Sequence, residues 1–461
     1  MNPALEKRIK RQIIGKPHRF LAVVPLGFEN TLVQELQSIG IETLSGIAKS
    51  SDGKVEFTAK ITETWKAVAY SRIANRILMH IADFKAENFH EFEKKASEIP
   101  WELYLPCHPE QSNARCEVEG SISIHVTCKH SRLYHSDAIA ERLQKIIDEG
   151  NAPSQNLYVN FLDDRCTIWL DLAGEELYKR GFERFVNDAP LKETIAAGMI
   201  FEAIKIATTL DSSTTPSRAS LRMTLDVSPD SVPGPQCSIL DLMSGSGTFS
   251  LEAAYMASGL IPGICRDFAL KHQPAFKEAT WNYIIKQQEG VILSKRSASK
   301  DLTKIITSDI SAKSIEIIKH NVESSPLAGI VPSGTTPIVN PQLKDFFSYT
   351  AKEIAEICSA TSPVIVLNPP YGKRLDFDAP KLYTKIGRHL TTLASEFKDL
   401  GKSLTIAILA PKDDSREGSK FTCTANLLRE CTALDPNKNS AAKLIETSHG
   451  GFSLNTFIAR I

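Results

Sequence analysis

The chain's pattern predicts an α/β fold: a doubly wound, mostly parallel sheet in the second half, preceded by two small α/β modules. Three observations predict it. Apolar, β-branched runs at 237–242, 304–308, 337–340, 363–367 and 403–410 alternate with stretches of helical periodicity, as expected where crossover helices join parallel strands. Residues 20–84 run strand, helix, strand, helix, strand, which suits a small sandwich of the split-βαβ type. Residues 85–177 add a second set of helices and half-buried strands, and a length of 461 residues accommodates two to three domains at ~150 residues each.

Taken in order, residues 20–27 (FLAVVPLG) read as a strand ending in a turn. Residues 29–39 follow with Leu32, Val33, Leu36 and Ile39 at helical spacing, and Gly40 stops that helix. Residues 54–59 alternate as a strand, 62–71 form a short helix, and 76–84 a further strand. Residues 90–98 are helical, 121–128 (SISIHVTC) alternate as a half-buried strand, and 137–148 form an amphipathic helix. Residues 158–162 and 166–172 form a hairpin around Asp163-Asp164. From Lys192 onward the alternating strand and helix pattern takes over. The Ser-, Thr- and Pro-rich stretch 212–235 predicts a surface loop, as do the polar stretches 413–420 and 435–442.

Composition narrows the function classes. No uninterrupted apolar run approaches the ~18 residues of a membrane span, and the basic N-terminus has no apolar segment behind it, which argues against a secretory signal. Nine cysteines, at 107, 116, 128, 166, 237, 265, 358, 423 and 431, contain no CxxC pair. That set predicts reduced thiols in the cytoplasm rather than a disulfide frame or a zinc site. Formal net charge is zero, with 54 Lys and Arg against 54 Asp and Glu, yet the opening is locally basic. Lys7, Arg8, Lys10, Arg11, Lys16 and Arg19 face only Glu6 in residues 1–19. Such an arm binds phosphates by releasing counterions, or is simply a solvated tail.

Two motifs carry chemistry. The first, Asp241-Leu-Met-Ser-Gly245-Ser-Gly247-Thr248, turns an apolar strand directly into the helix expected over 248–257. Glycines permit close backbone approach and positive φ, and a helix N-terminus offers free N–H groups. The loop fails the GxGxxG dinucleotide pattern, and no GK[ST] phosphate loop is present. With Asp241 before it, it suits the amino-acid end and ribose of S-adenosylmethionine. Asp309 ends the next strand and can accept from ribose hydroxyls, or cap the following helix, a task Ser311 could also take. Asp345, in QLKDFF, can accept from an adenine amino group or stand as a solvated loop acid.

The second motif, Asn368-Pro369-Pro370-Tyr371, closes the fourth strand of the second half. Two prolines fix the backbone so that the Asn368 amide oxygen and the Pro369 carbonyl face the crevice at the sheet's carboxyl edge. An exocyclic –NH2 is a poor nucleophile because its lone pair is delocalised into the ring. Two acceptors that hold both hydrogens draw the nitrogen toward tetrahedral geometry, so alignment matters more than a general base. Tyr371 supplies a face on which an extruded base stacks.

Lys373 and Arg374 follow and could hold the phosphates beside that base, or form an ordinary surface pair. Lys129, His130, Arg132, Arg142 and Lys145 read as one face of an RNA-binding module or as a solvated face. His125, Cys128, His130 and His135 match no zinc spacing, so no metal is expected.

These residues resemble the THUMP-domain RNA methyltransferases, specifically the bacterial 23S rRNA guanine-N2 methyltransferase type. The likeness covers nearly the whole chain. It rests on FLAVVPLGFENTLVQELQSIG, the junction LYKRGFERFVNDAPLKETIAAGMI, the loop DLMSGSGTFSLEAAYMA, the segment IPGICRDFALKHQPAF and the turn NPPYGKRL. The resemblance implies a basic arm (1–19), a ferredoxin-like region (20–84), a THUMP RNA-binding domain (85–177) and a Rossmann-like methyltransferase domain (178–461). It implies methyl transfer from S-adenosylmethionine to guanine N2 of 23S rRNA or a large-subunit precursor, by a cytoplasmic, metal-free monomer. By motif position Asp241, Ser244, Gly245 and Gly247 would line the cofactor, with Asp309 at its ribose and Asp345 near its adenine. Asn368, Pro369 and Tyr371 would hold the base, with Lys129, Arg132, Lys373 and Arg374 on RNA. The loop departs from the family's common Pro-Met-Cys with Leu242-Met243-Ser244, a nearly isosteric change at Ser244. The chain carries one such domain where some relatives carry a second, fused one, so a second activity is not expected.

Three readings compete. The same chemistry could act on tRNA guanine N2. N6-adenine methylation of DNA also uses Asn-Pro-Pro-Tyr, but no DNA-reading motif is evident. A catalytically silent RNA-binding assembly factor would not need an intact Asn368 and glycine loop.

Overall fold

The computed structural model describes residues 2–41, 52–106, 122–147, 154–187, 190–209, 237–286, 302–329, 339–359, 361–371, 378–413 and 422–461. The predicted loop at 212–235, the residues Lys373 and Arg374 and most of 413–420 lie outside them. The chain divides into two compact units, one of residues 1–24, 35–180 and 266–288, the other of residues 25–34, 181–265 and 289–461.

The first unit is built on six strands: β1 (Pro17–Val23), β2 (Lys54–Lys60), β3 (Arg76–Lys85), β4 (Ile122–Lys129), β5 (Gln155–Leu162) and β6 (Arg165–Asp171). Their order is β2-β1-β3-β6-β5-β4. Only β4 and β5 run parallel; every other pair is antiparallel. The two modules expected at 20–84 and 85–177 therefore share one sheet, joined where β3 pairs with β6 from Leu78↔Asp171 to Lys85↔Arg165.

Alternation decides what each strand buries. Ile122, Ile124, Val126 and Cys128 pack on a core of Phe92, Leu157, Val159, Phe161 and Ile168. The helices Phe89–Ser97 and Ser136–Ile146 cover this face, each with an apolar side that includes Phe92 or Ile139 and Leu143. The N-terminal residues are ordered as the helix Pro3–Ile9 and a π turn at Lys10–Ile14, with Ile9 and Ile13 buried. Arg8 pairs with Glu102 at 2.7 Å, and Arg19 lies within 4 Å of both Glu56 and Asp83.

Residues 266–288 return to this unit although they follow the glycine loop in sequence. The reason is a set of buried polar anchors. The Arg266 guanidinium donates to the carbonyls of Glu175, Glu176 and Lys179, and the Gln273 amide donates to Asp171 O and Gln155 Oε1.

The second unit holds a seven-stranded sheet: β7 (Cys237–Asp241), β8 (Leu302–Asp309), β9 (Val339–Leu343), β10 (Ser362–Leu367), β11 (Thr405–Pro411), β12 (Lys443–His449) and β13 (Phe452–Arg460). The order is β12-β13-β11-β10-β7-β8-β9, parallel from β11 to β9, with β13 antiparallel to both neighbours. The helices Ala351–Cys358, Ala379–Asp399 and Cys423–Glu430 bury one face, around Ile365, Leu367, Ile386, Leu390, Phe397 and Ile408. The helices Thr248–Ala257 and Ala312–Glu323 bring Leu251, Ala254 and Ile318 to a separate cluster that includes Val339. The β12–β13 hairpin was not predicted: KLIETSH is polar, and its turn is Gly450-Gly451, both at positive φ.

Strand order reverses between β7 and β10. In open α/β sheets ligands bind at that point, outside the carboxyl ends of the strands. The glycine loop leaves β7 there, and Asn368 leaves β10.

Candidate active site

The loop after β7 is held by hydrogen bonds. Asp241 is 0% exposed, and its Oδ2 accepts from Ser250 N–H at 3.1 Å and Ser250 Oγ at 2.7 Å. Thr307 Oγ1 donates in turn to Ser250 Oγ at 2.8 Å. Burial pushes the Asp241 carboxyl up to about 7, against the Ser250 hydrogen bonds and helped by the nearby Asp309 charge. Its Oδ1 has no partner among the described residues. Asp241 therefore ties the end of β7 to the first turn of the helix Thr248–Ala257 through Ser250.

Gly245 and Gly247 adopt φ of 56° and 79°, the left-handed region that favours glycine. A Cβ on Gly247 would also lie 3.0 Å from Ile318 Cγ1. Gly245 N–H donates to Asp309 Oδ2 at 2.8 Å, and Ser311 N–H donates to Asp309 Oδ1 at 2.8 Å. Asp309 thus fixes the loop and starts the next helix, while Ser311 caps it. Ser244 is tied to Ser308 O through both its N–H and its hydroxyl. Asp345 caps the short turn Phe346–Ser348 by accepting from Phe347 N–H at 3.0 Å through Oδ1.

Facing the loop across the switch point, β10 pairs with β7 in register, Val366 beside Asp241. Asn368 Oδ1 is buried with no partner among the described residues. An unpaired buried acceptor is costly unless a ligand or water completes it. The Pro369 carbonyl lies 3.5 Å from the hydroxyl of fully buried Tyr383, which donates to Leu409 O at 3.0 Å. The Tyr371 ring meets Phe452 edge-on, centroids 6.0 Å apart, and burial raises its phenol to about 12, so it stays neutral.

Sequence reasoning missed part of this site. Arg184 sits beside the loop, donating to Thr248 Oγ1 and Ser246 Oγ while paired with Glu193. Phe185 is pinned by Asn321, which accepts its N–H and donates to its carbonyl, and it stacks on His320 at 3.8 Å. The signal was present in the junction GFERFVN, but no spacing rule ties that stretch to a loop some 60 residues later.

The expected RNA contacts are distributed differently. Lys129 is exposed on the open face of β4, with no side-chain partner among the described residues. Arg132 is exposed but already pairs with Glu87 and Asp164. His125 stacks on Tyr158 on that open face, whereas Cys128 faces the helices, so strand alternation separates them. No group of three or more metal-ligating side chains gathers among the described residues, and no described helix is long and apolar enough to cross a membrane.

Comparison with known proteins fits this geometry. Residues 230–407 match the UPF0020 model of an RMKL-like methyltransferase domain, and residues 19–78 match an RlmL ferredoxin-like domain. A ribosomal RNA large subunit methyltransferase K/L from Psychromonas ingrahamii is 26% identical over 371 residues, covering 79% of this chain and 43% of that protein. The putative RNA methyltransferase YpsC of Bacillus subtilis is 26% identical over 366 residues, covering 78% and 80%. The chain spans about half the length of the K/L relatives it matches. Among solved structures, a possible methylase from Clostridium difficile 630 superposes with a TM-score of 0.65 at 21% identity, and SMU.472, a putative methyltransferase complexed with SAH, with 0.66 at 20%. Each covers 96% of this chain and is itself covered to 98%. One polypeptide thus carries a segment similar to an RlmL ferredoxin-like domain, at 19–78, and one similar to an RMKL-like methyltransferase domain, at 230–407.

Proposed function

We propose that this protein methylates the exocyclic N2 of a guanine in 23S rRNA or its precursor, using S-adenosylmethionine. The observation that carries the reading is Asn368 Oδ1, buried and unpaired at the switch point beside the glycine loop. The relatives' names, ribosomal RNA large subunit methyltransferase K/L, supply the substrate class.

The cofactor fits the donor set. Gly245 and Gly247 supply the positive-φ turn, and Asp309 retains acceptor capacity for ribose hydroxyls beyond its two backbone bonds. Ser244 shapes the loop, Asp241 orders it through Ser250, and Asp345 keeps Oδ2 for an adenine amine. S-adenosylmethionine supplies an activated methyl group on sulfonium. The protein's task is then orientation: Asn368 Oδ1 and the Pro369 carbonyl accept the two N2 hydrogens and aim the lone pair, while Tyr371 stacks on the base. We assign the arm (1–19), the ferredoxin-like region (20–84) and the THUMP region (85–177) to RNA recognition, with Lys129, Lys373 and Arg374 on phosphates. Residues 178–461 are assigned to catalysis, in a cytoplasmic monomer that needs no metal.

The test is methyl transfer from labelled S-adenosylmethionine to unmodified 23S rRNA, bulk tRNA and DNA in parallel, with nucleoside mass analysis. N2-methylguanosine in 23S rRNA alone is expected. Product only in tRNA would move the substrate, and N6-methyladenine in DNA would overturn the base assignment.

A further inference from the structure

Strand alternation gives the six-stranded sheet of the first unit a second face, opposite the helices Phe89–Ser97 and Ser136–Ile146. Register sets the side chains of that face in rungs that cross the strands. His125 on β4 lies beside Tyr158 on β5, Tyr158 beside Trp169 on β6, and Trp169 beside His80 on β3. Four rings therefore stand in one row. His125 stacks on Tyr158 with centroids 4.8 Å apart and planes inclined by 21°, and His80 meets Trp169 edge-on at 5.2 Å. Arg76 lies over the Tyr158 ring and Arg19 over that of Trp169.

Cross-strand aromatic pairs stabilise a sheet, and Trp169, 3% exposed, needs no other role. His125 is different. It is exposed on the edge strand β4, with one ring face against Tyr158 and no described strand beyond the other. The next rung is Thr127, Asn160 and Thr167, which offer hydroxyl and amide groups. The rung after that, about 13 Å from His125 along β4, carries Lys129, Arg165 and Lys85 around Leu162. Lys85 pairs with Glu87 and Arg165 with Asp83, but no acid on the described β4 and β5 part of this face neutralises Lys129. An unpaired nucleotide strand matches this set, since every base has a face to stack and the backbone is anionic. A duplex keeps its base faces stacked inside and matches it poorly. The helix-bearing face offers less, because Arg142 there is held by Glu93 and the Phe89 ring.

We propose that this face is a platform for a single-stranded segment of RNA. A base stacks on His125 and extends the His125–Tyr158 stack. Thr127 and Asn160 bond to base or sugar edges, and Lys129 meets a phosphate farther along the strand. The platform presupposes the RNA substrate proposed above and selects unpaired strand over duplex.

Fluorescence anisotropy of the full-length protein tests this with a labelled single-stranded RNA of about 12 nucleotides, alone and annealed to its complement. The single strand should bind more tightly. His125→Ala should weaken that binding about fivefold or more, as loss of one stacked base does, with duplex binding unaffected. His125→Phe keeps a stacking face and should restore the affinity. Lys129→Gln should lower the salt slope of single-strand binding by about 0.7, while Lys94→Gln, on the helix-bearing face, should leave it unchanged. Tighter binding of the duplex, or single-strand affinity indifferent to His125, would overturn the platform and leave the guanine-N2 reading standing. If neither RNA binds, the platform fails, and RNA recognition by the first unit fails with it.

Discussion

Gly245 donates its backbone N–H to Asp309 Oδ2 at 2.8 Å, so the turn after β7 and the tip of β8 form one hydrogen-bonded unit. Asp309→Ala removes that bond and the bond to Ser311 N–H together. Affinity for S-adenosylhomocysteine should fall about tenfold, a loss of roughly 1.4 kcal/mol, measured by calorimetry. Unchanged affinity would remove Asp309 from cofactor binding.

Asn368→Ala should abolish methyl transfer, by about a hundredfold or more, while S-adenosylhomocysteine affinity persists. Its amide oxygen has no structural partner to lose among the described residues, so thermal stability should hold. Near-normal turnover in this variant would refute the amine-holding mechanism.

Asp241 makes stability depend on pH. Its carboxyl rises from 3.8 to about 7 on folding, mainly through burial. The folded state thus binds the proton more tightly than the unfolded chain. That contribution is fully present below pH 3.8 and is lost as pH rises through about 7. Urea melts at stepped pH should show Asp241→Asn removing this decline. A variant with an unchanged pH slope would mean that Asp241 titrates normally.

Tyr383 joins two carbonyls behind the Asn-Pro-Pro-Tyr turn, Leu409 O at 3.0 Å and Pro369 O at 3.5 Å. Tyr383→Phe keeps the buried ring and deletes the donor, so it should cost about 1–2 kcal/mol in denaturant unfolding. Turnover should fall more than cofactor affinity, because the Pro369 carbonyl loses its alignment. An equal loss in both would indicate a general effect on the core.

Gly247→Ala places a Cβ 3.0 Å from Ile318 Cγ1 at a φ of 79°. The strain should cost about 1–3 kcal/mol, read as a lower melting temperature, and weaken cofactor binding in parallel. A fully stable variant that binds the cofactor normally would show that the loop tolerates a side chain there.

Much of this was legible because local pattern and burial agree. Apolar runs of five to eight residues became β7, β8, β10 and β11, and the turns beginning at Asp241 and closing at Asn368 fell at strand ends as spacing required. The β12–β13 hairpin was illegible because KLIETSH buries only one apolar residue, Ile445, while its other apolar residue, Leu444, is exposed. The π turn and helix at the N-terminus hid behind their charges, since two isoleucines four residues apart are weak evidence against six cations.

The sequence by itself determined the fold class and the place of the glycine turn and the Asn-Pro-Pro-Tyr turn at strand ends. Those depend on short-range features: hydrophobic period, glycine at positive φ and proline-fixed backbone. Only the tertiary structure decided which side chains meet across distance. It joined β3 to β6 into one sheet, returned residues 266–288 to the first unit, and tied buried Asp241 to Ser250. It also brought Arg184 to Thr248 and left Asn368 Oδ1 buried and unpaired. Such pairings depend on which buried donor finds which acceptor once the core has closed, and no local pattern encodes that.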